Sequence, residues 1–343
     1  MLRYHCEIEC APGLEDVSRK ELIDVLGRGA LSQIKQSEGA IEFIVKHDIH
    51  KLESLKTAIA AYLILSFDVP RPKALLGHQN FHIILNQIRE IIDSHPQAHF
   101  KTLYLSAAGS GSSVMRRITD DLTMHTGLEP RDDEGDLLLR IRRNKDQWQV
   151  LIRLTPRPLA TRQWRREDMP GALNGPVANA MIRLLCPKPG SKLLNLMSGS
   201  GTLMIEALDV QPELYVMGLD IDSDVNMLAQ RNIDHSRHAD QIRLIQGNVS
   251  ALPLLNSHFD NIVADLPFGS LVGSHEHNRV LYPQVLEYSA RVAKADAAFA
   301  LITHEIKLFE NALAHQSTWT LDKQIKINLR GLHPRIYLLR KSV

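Results

Sequence analysis

One stretch constrains the fold of this chain more than any other: Lys192–Glu206, KLLNLMSGSGTLMIE. Leu193, Leu194 and Leu196 make the short apolar run that a central strand, covered on both faces, requires. Gly199 and Gly201 then let the backbone turn sharply and approach a ligand closely. Thr202 to Leu208 carries helix-forming residues. A strand that feeds a helix through a glycine turn is where doubly wound α/β sheets bind nucleotide-like ligands. Two such sites are excluded here. A dinucleotide fingerprint wants a third glycine where Met204 stands, and a P-loop wants Gly-Lys-Ser/Thr, which is absent. Taken alone, the turn reads equally well as a plain structural turn.

Three further apolar runs raise its meaning. Leu214 to Leu219 ends in Asp220, 19 residues after Gly201. An acid at the tip of a second strand can accept from both hydroxyls of a ribose. It can equally cap the helix predicted to begin near Ser223. Ile242 to Ile245 ends at Gly247-Asn248-Val249, placed to reach an adenine ring. Phe259 to Ala264 ends in Asp265-Leu266-Pro267-Phe268-Gly269. Helices predicted over 278–294 and 304–315, a strand over 297–303, and a hairpin of 319–328 with 334–340 complete a mostly parallel sheet with an antiparallel last strand.

These spaced elements resemble the S-adenosylmethionine-dependent methyltransferases of the Rossmann-like class. Asp-Leu-Pro-Phe-Gly resembles the Asp/Asn-Pro-Pro-Tyr/Phe motif of their amino-methylating branch. The resemblance implies S-adenosyl-L-methionine as cofactor. It implies a cofactor site built from Leu173, Asn195, Met197, Ser198, Gly199, Ser200, Gly201, Thr202, Asp220, Ile221, Asn248, Val249 and Asp265. It also implies a catalytic group of Asp265, Leu266, Pro267 and Phe268. Asp265 and the Leu266 carbonyl would accept the two N–H groups of an exocyclic amine. Pro267 would hold that backbone, and Phe268 would offer a face for the base to stack on. Asn195 and Asn248 depart from the family, which usually carries Asp at the first and often at the second. An amide keeps the shape and loses the charge, so a catalytically decayed RNA-binding protein of the same fold is an alternative reading.

The first half of the chain has a different rhythm. A strand is predicted over 3–9, a helix from Leu14 to Leu26, a strand over 39–45 and a helix from Asp48 to Leu65, giving a β-α-β-α unit. Pro70-Arg71-Pro72 marks a boundary, since proline breaks helix and strand alike. A helix over 80–93, a strand over 102–107, a helix over 112–126 and strands over 136–142 and 147–154 follow. Pro156 to Asn174 holds three prolines and several arginines and reads as a linker. The expected domains are therefore 1–69, 70–155, a linker 156–175, and 176–343.

The net charge of +1 hides an uneven distribution. Leu137–Asp168 holds nine Lys or Arg against three acids, and Thr320–Val343 holds six against one. Local fields of this kind suit a polyanionic partner; a solvated charged face is the plainer reading.

The order of the first half resembles a ferredoxin-like domain followed by a THUMP domain. Ile152–Arg165, IRLTPRPLATRQWR, resembles the exit of such proteins into their linker. The whole chain thus resembles the THUMP-domain RNA guanine-N2 methyltransferases, the tRNA acceptor-stem enzymes above all. That resemblance implies a tRNA partner, gripped at its single-stranded 3′ end and acceptor stem, with the target base flipped into the Asp-Leu-Pro-Phe pocket. Some such enzymes need a small activator protein. The related ribosomal enzymes share all three domain types, so guanine-N2 methylation of 23S rRNA is a second alternative. The candidate RNA contacts are Arg116 and Arg117, beside Ser110, Ser112 and Ser113 at a predicted helix start, and Arg157, Arg162, Arg165 and Arg166 of the linker. The serines can equally be N-caps, and Trp164 can stack on a base or anchor packing.

Three cysteines, Cys6, Cys10 and Cys186, cannot build a disulfide framework and fit a reducing compartment. No run approaches the ~18 apolar residues of a membrane span, and MLRYHCEIEC alternates and carries charge, unlike a signal peptide. Sixteen histidines show no zinc-site spacing, so no metal is expected. A cytoplasmic monomer is the expectation.

Overall fold

The computed structural model describes residues 3–46, 48–96, 99–248, 256–268, 274–329 and 331–342. The chain divides into two units: Met1–Cys10 with Arg19–Leu159, and Ala11–Ser18 with Ala160–Val343.

The first unit is a mixed sheet with helices. Its elements are β1 (Tyr4–Cys10), α1 (Glu15–Leu26, counted here from Arg19), β2 (Leu31–Ser37), β3 (Ala40–Val45), β4 (Ala58–Phe67), α2 (His78–Asp93), β5 (Thr102–Ala107), α3 (Ser113–Thr126), β6 (Glu129–Arg131), β7 (Leu137–Asn144) and β8 (Gln147–Arg153). The strand order is β2-β3-β1-β4-β8-β7-β5-β6. The strands on either side of the expected 69/70 boundary share this sheet, joined where β4 pairs with β8.

One element differs in kind from its prediction. The helix expected over 48–65 is a short 3-10 turn, Ile49–Ser54, followed by β4. The sequence of β4, AIAAYLILSF, is apolar almost throughout, and its strand pairs on both edges, with β1 and with β8. A central strand buried on both faces loses the alternation that would distinguish it from a buried helix. α3 begins where Ser112 accepts the Met115 N–H at 3.4 Å, a capping role for that serine. Ile8, Phe43, Leu63, Ile88, Leu122 and Ile152 are among the residues of the core.

The second unit carries α4 (Gly175–Leu185), β9 (Lys192–Leu196), α5 (Thr202–Val210), β10 (Tyr215–Asp220), α6 (Ser223–Asp234), β11 (Ile242–Gln246), β12 (Phe259–Asp265), α7 (His275–Val292), β13 (Ala293–Thr303), α8 (Ile306–Ala314), β14 (Trp319–Lys326) and β15 (Arg335–Lys341). The order is β11-β10-β9-β12-β13-β15-β14. The first five strands run parallel, and β15 and β14 pair antiparallel. Alternate residues serve opposite faces. Leu193 and Val263 belong to one core with Val177 and Met181; Leu194 and Ile262 belong to another with Tyr282 and Phe309. Both faces are therefore covered, as a parallel sheet demands.

The chain moves outward from β9 through β10 to β11, then crosses back to β12. The order reverses between β9 and β12, and the carboxyl ends at such a switch point form the binding crevice of open α/β sheets. Residues 11–18 fasten to this unit just past the carboxyl end of β14. The Asn328 N–H donates to the Pro12 carbonyl at 3.0 Å. Gly13 has φ +98°, and a Cβ there would stand 2.0 Å from the Lys326 carbonyl oxygen, so only glycine fits. Among the described residues, no helix is long and apolar enough to cross a membrane.

Candidate active site

The turn between β9 and α5 is fixed by its backbone. Met197, Gly199 and Gly201 have φ of +50°, +52° and +83°. The Ser198 N–H donates to the Leu219 carbonyl at 3.0 Å, tying the turn to the end of β10. Asp220, the last residue of β10, accepts from the Gly199 N–H at 2.9 Å and from the Asp222 N–H at 3.2 Å, one bond on each carboxylate oxygen. An ionised carboxylate has about four acceptor positions, so each oxygen keeps capacity for another donor. The helix-capping role belongs to Asp222, which accepts from the Asp224 and Val225 N–H groups.

Among the described residues, Oδ1 of Asn195 and Oγ of Ser198 at this turn are buried without a hydrogen-bond partner. Buried polar atoms are seldom left so without reason. The other half of the Asn195 amide donates to the Leu196 and Val263 carbonyls at 3.1 and 3.3 Å. A carboxylate there could not make those bonds, which accounts physically for the amide. Ser200 and Thr202 join hydroxyls at 3.0 Å. Leu173 is buried and Met197 half-buried, while Ile221 and Asn248 are exposed. Val249 and Gly269 lie outside the described residues.

β12 pairs with β9 so that Val263 faces Asn195 and Ala264 faces Leu196. Asp265 therefore emerges beside the start of the glycine turn. The residue is half-buried with its carboxyl turned away from solvent, and among the described residues no hydrogen bond or salt bridge reaches it. Burial pushes it up to about 7, because desolvation disfavours the charged form.

The residues after Asp265 are held from below. The Leu266 N–H donates to the Ile302 carbonyl at 3.0 Å. The Pro267 carbonyl accepts from Nδ2 of Asn278 at 2.9 Å and from the Tyr282 hydroxyl at 2.7 Å. Tyr282 in turn meets the Thr303 hydroxyl at 2.8 Å, and Glu305 accepts from Asn278 at 3.4 Å and pairs with His275 at 2.7 Å. Phe268 is half-buried, with the His304 ring 5.9 Å away and tilted by 34°. Sequence reasoning missed Asn278, Tyr282, Thr303 and Glu305. One signal was available: Asn278 and Tyr282 stand four apart, on the helical face that continues through Val285, Leu286 and Val292.

Tyr282→Phe is expected to lower turnover roughly 5- to 100-fold, the range for one lost buried hydrogen bond, with folding retained. Steady-state rates beside a thermal melt check this, and an unchanged rate would remove Tyr282 from the support of the site.

The arginines separate into three kinds. Arg116, Arg117, Arg157 and Arg166 are exposed. Arg165 is half-buried and donates to the Leu173 carbonyl and the Thr202 hydroxyl, both at 2.8 Å. Arg162 is buried: its Nε donates to Oε1 of Glu206 at 2.6 Å, with side chains 4% and 0% exposed. Its expected place among RNA contacts is corrected by this geometry, since a guanidinium enclosed by protein has no face for a phosphate. Trp164 is also buried, in the core of the second unit, and is a packing residue. Among the described residues, no three His, Cys, Asp or Glu side chains converge on a metal position.

Strand order, glycine turn and the Asp-Leu-Pro-Phe segment at the neighbouring strand end define the class: a Rossmann-like α/β methyltransferase fold preceded by an α+β region. The chain belongs to the family UPF0020, described as RMKL-like, methyltransferase domain, whose family model matches residues 162–335. It is 30% identical to the mouse tRNA (guanine(6)-N(2))-methyltransferase THUMP3 over 186 residues, half of this chain and 37% of that protein, so the match spans well under half of that relative's length. It is 22% identical to the tRNA (guanine(6)-N2)-methyltransferase of Methanocaldococcus jannaschii over 97% of this chain and 98% of the other. Its fold is that of TrmN from Thermus thermophilus, with a TM-score of 0.78 over 99% of this chain and 100% of that one at 21% identity.

Proposed function

We propose that this chain transfers a methyl group from S-adenosyl-L-methionine to the exocyclic N2 amine of a guanosine in tRNA, at position 6 of the acceptor stem. The observation that carries the reading is the juxtaposition across the switch point. Asp265, which no hydrogen bond or salt bridge reaches among the described residues, stands at the end of β12 beside the glycine turn that leaves β9. The position on the tRNA follows the names of the mouse and archaeal relatives.

The residues of the turn fit the cofactor. Asp220 keeps an acceptor position on each oxygen for a ribose diol. Asn195 Oδ1 and Ser198 Oγ, without a hydrogen-bond partner among the described residues, would supply polar atoms to the cofactor. Met197, Gly199, Ser200, Gly201, Thr202, Ile221, Leu173 and Asn248 complete the proposed wall. When bound, the cofactor supplies an electrophilic methyl on a positively charged sulfur.

The protein's own part is orientation. The lone pair of a guanine amine is delocalised into the ring, so the site must aim it along the line of displacement at about 3–3.5 Å. Asp265 accepts one N–H. The Pro267 carbonyl is turned inward to Asn278 and Tyr282, which leaves the Leu266 carbonyl for the other. Phe268 offers a stacking face. With the methyl supplied by the bound cofactor, the proton lost from N2 would pass to the Asp265 carboxylate, whose raised pKa suits it to receive one.

A base within a duplex must be extruded first, at a few kcal/mol. Contacts from the exposed Arg116, Arg117, Arg157 and Arg166 to the 3′ end and acceptor stem offset that cost. Asp220→Ala is expected to weaken cofactor binding by about 1.5–3 kcal/mol, the range for a hydrogen bond to a charged group; calorimetry with S-adenosylhomocysteine reads it, and unchanged affinity removes Asp220 from the site. The function is tested by incubating the protein with labelled cofactor and unmodified tRNA, or with rRNA, and mapping the labelled nucleoside. N2-methylguanosine at position 6 of the tRNA is the expected product. Label in rRNA alone, or none, would overturn the reading.

A further inference from the structure

The segment Arg165–Met169 runs along the glycine turn in the opposite direction, meeting it directly at Arg165 and Met169 and through Asn232 between them. Arg165 donates to the Thr202 hydroxyl at 2.8 Å and, from the same nitrogen, to the Leu173 carbonyl at 2.8 Å. Next come Arg166 and Glu167, whose N–H groups donate to Oδ1 of Asn232 at 2.8 and 2.9 Å. Nδ2 of Asn232 donates onward to the Glu167 and Ser200 carbonyls, both at 3.1 Å. The Met169 methyl then lies 3.3 Å from where a Cβ on Gly199 would be.

Asn232 is completely buried on α6 and makes four hydrogen bonds, two through each end of its amide. Three of the four go to the linker segment and one to the turn. A helix that needed only to pack its apolar face would carry an aliphatic residue there, as it does at Ala229 and Ile233. The bonds of Arg165 have the same logic. They spend a cation on a hydroxyl inside the turn and on the backbone of Leu173, on a half-buried side chain that a phosphate contact would leave in solvent.

We infer that Arg165 and Asn232 are positioning residues for the cofactor: together they hold Ser200–Thr202 in its binding shape by fastening the linker along the turn. This deepens the proposed function and rests on the turn being the cofactor site. It withdraws Arg165 from the RNA-gripping set and leaves that work to its exposed neighbours.

The test compares Arg165→Ala, Thr202→Val and their double variant with wild type, by calorimetric affinity for S-adenosylhomocysteine, KM for each substrate, and the salt dependence of tRNA binding. Each single variant is expected to weaken S-adenosylhomocysteine binding roughly tenfold, the effect of one charge-assisted hydrogen bond. The double variant should be little worse than either, because the two share one interaction. KM for tRNA and the salt slope should stay at wild-type values. Asn232→Asp keeps the acceptor, loses both donors, and should weaken binding in the same way; if it does not fold, the Arg165–Thr202 cycle decides alone.

Undiminished S-adenosylhomocysteine affinity, with a lowered melting temperature only, would overturn the inference. So would a salt slope for tRNA reduced by about one, the mark of a lost phosphate contact. No binding of S-adenosylhomocysteine by the wild-type protein would overturn the cofactor reading itself and the inference with it.

Discussion

Asp265→Ala is expected to reduce methyl transfer by roughly 100-fold or more, the usual consequence of removing one oriented electrostatic group from a reacting centre. Affinity for S-adenosylhomocysteine should change little, because Asp220 and the backbone of the turn remain. Wild-type turnover in this variant would end the role assigned to the carboxylate. The same residue sets a pH dependence. Burial raises its pKa from 3.8 to about 7, so the folded protein holds a proton across that window that the unfolded chain has lost. Stability is therefore fully present below the ordinary carboxylate value and declines as pH rises through about 7, by on the order of 2–4 kcal/mol for a shift of this size. Asp265→Asn should consequently melt higher than wild type at pH 8, show little difference at pH 4, and still be inactive. A melt in which wild type and variant keep a constant difference across pH would remove the titration from Asp265. In the other direction, the rate of the wild-type protein should climb with pH as the acceptor form fills.

Arg162→Ala is expected to cost about 3–5 kcal/mol of stability, since it leaves the fully buried Glu206 without its cation. Among the described residues Glu206 would keep the hydrogen bond from the Asn179 amide, which donates to Oε2 at 2.8 Å, and the more distant charge of Arg165. Its pKa is already raised, by burial first and against the pull of Arg162. Removing that pull raises it further, so the deficit should be smallest at acidic pH, where Glu206 is neutral, and grow as pH rises. Denaturant titrations at pH 5 and 8 measure this. An unfolding free energy within about 0.5 kcal/mol of wild type, the range of an ordinary surface substitution, would show that Arg162 is a surface cation after all.

The glycine turn, the two strand-end acids and the order of the second unit's elements were legible because each rests on local chemistry: apolar runs, glycines and acids at fixed offsets. Arg162 was misplaced for a related reason. A run of arginines records charge in one dimension, and nothing in IRLTPRPLATRQWR distinguishes the guanidinium that turns inward to Glu206 from those that face water. β4 was misread because burial on both sides erases its period. Asn232 and Asn278 were overlooked because their partners lie 32 and 11 residues away, at Ser200 and Pro267, and a lone polar residue on an apolar stripe announces a bond without naming its partner. Such residues are where distant segments are sewn together, and only three-dimensional structure pairs them.

The place of β15 has a consequence for biosynthesis. Every strand of the first sheet lies between residues 4 and 153, so that sheet can assemble while translation continues. The second sheet is different: β15, the last of its strands in chain order, lies between β13 and β14. Until it emerges from the ribosome, β13 presents an open edge and β14 has no partner. The turn at Pro12 and Gly13 also waits, because its bond goes to Asn328. Nascent protein stalled shortly before residue 335 should thus carry a finished amino-terminal sheet beside an unclosed one, and it is in that interval that chaperones would find an exposed edge to hold.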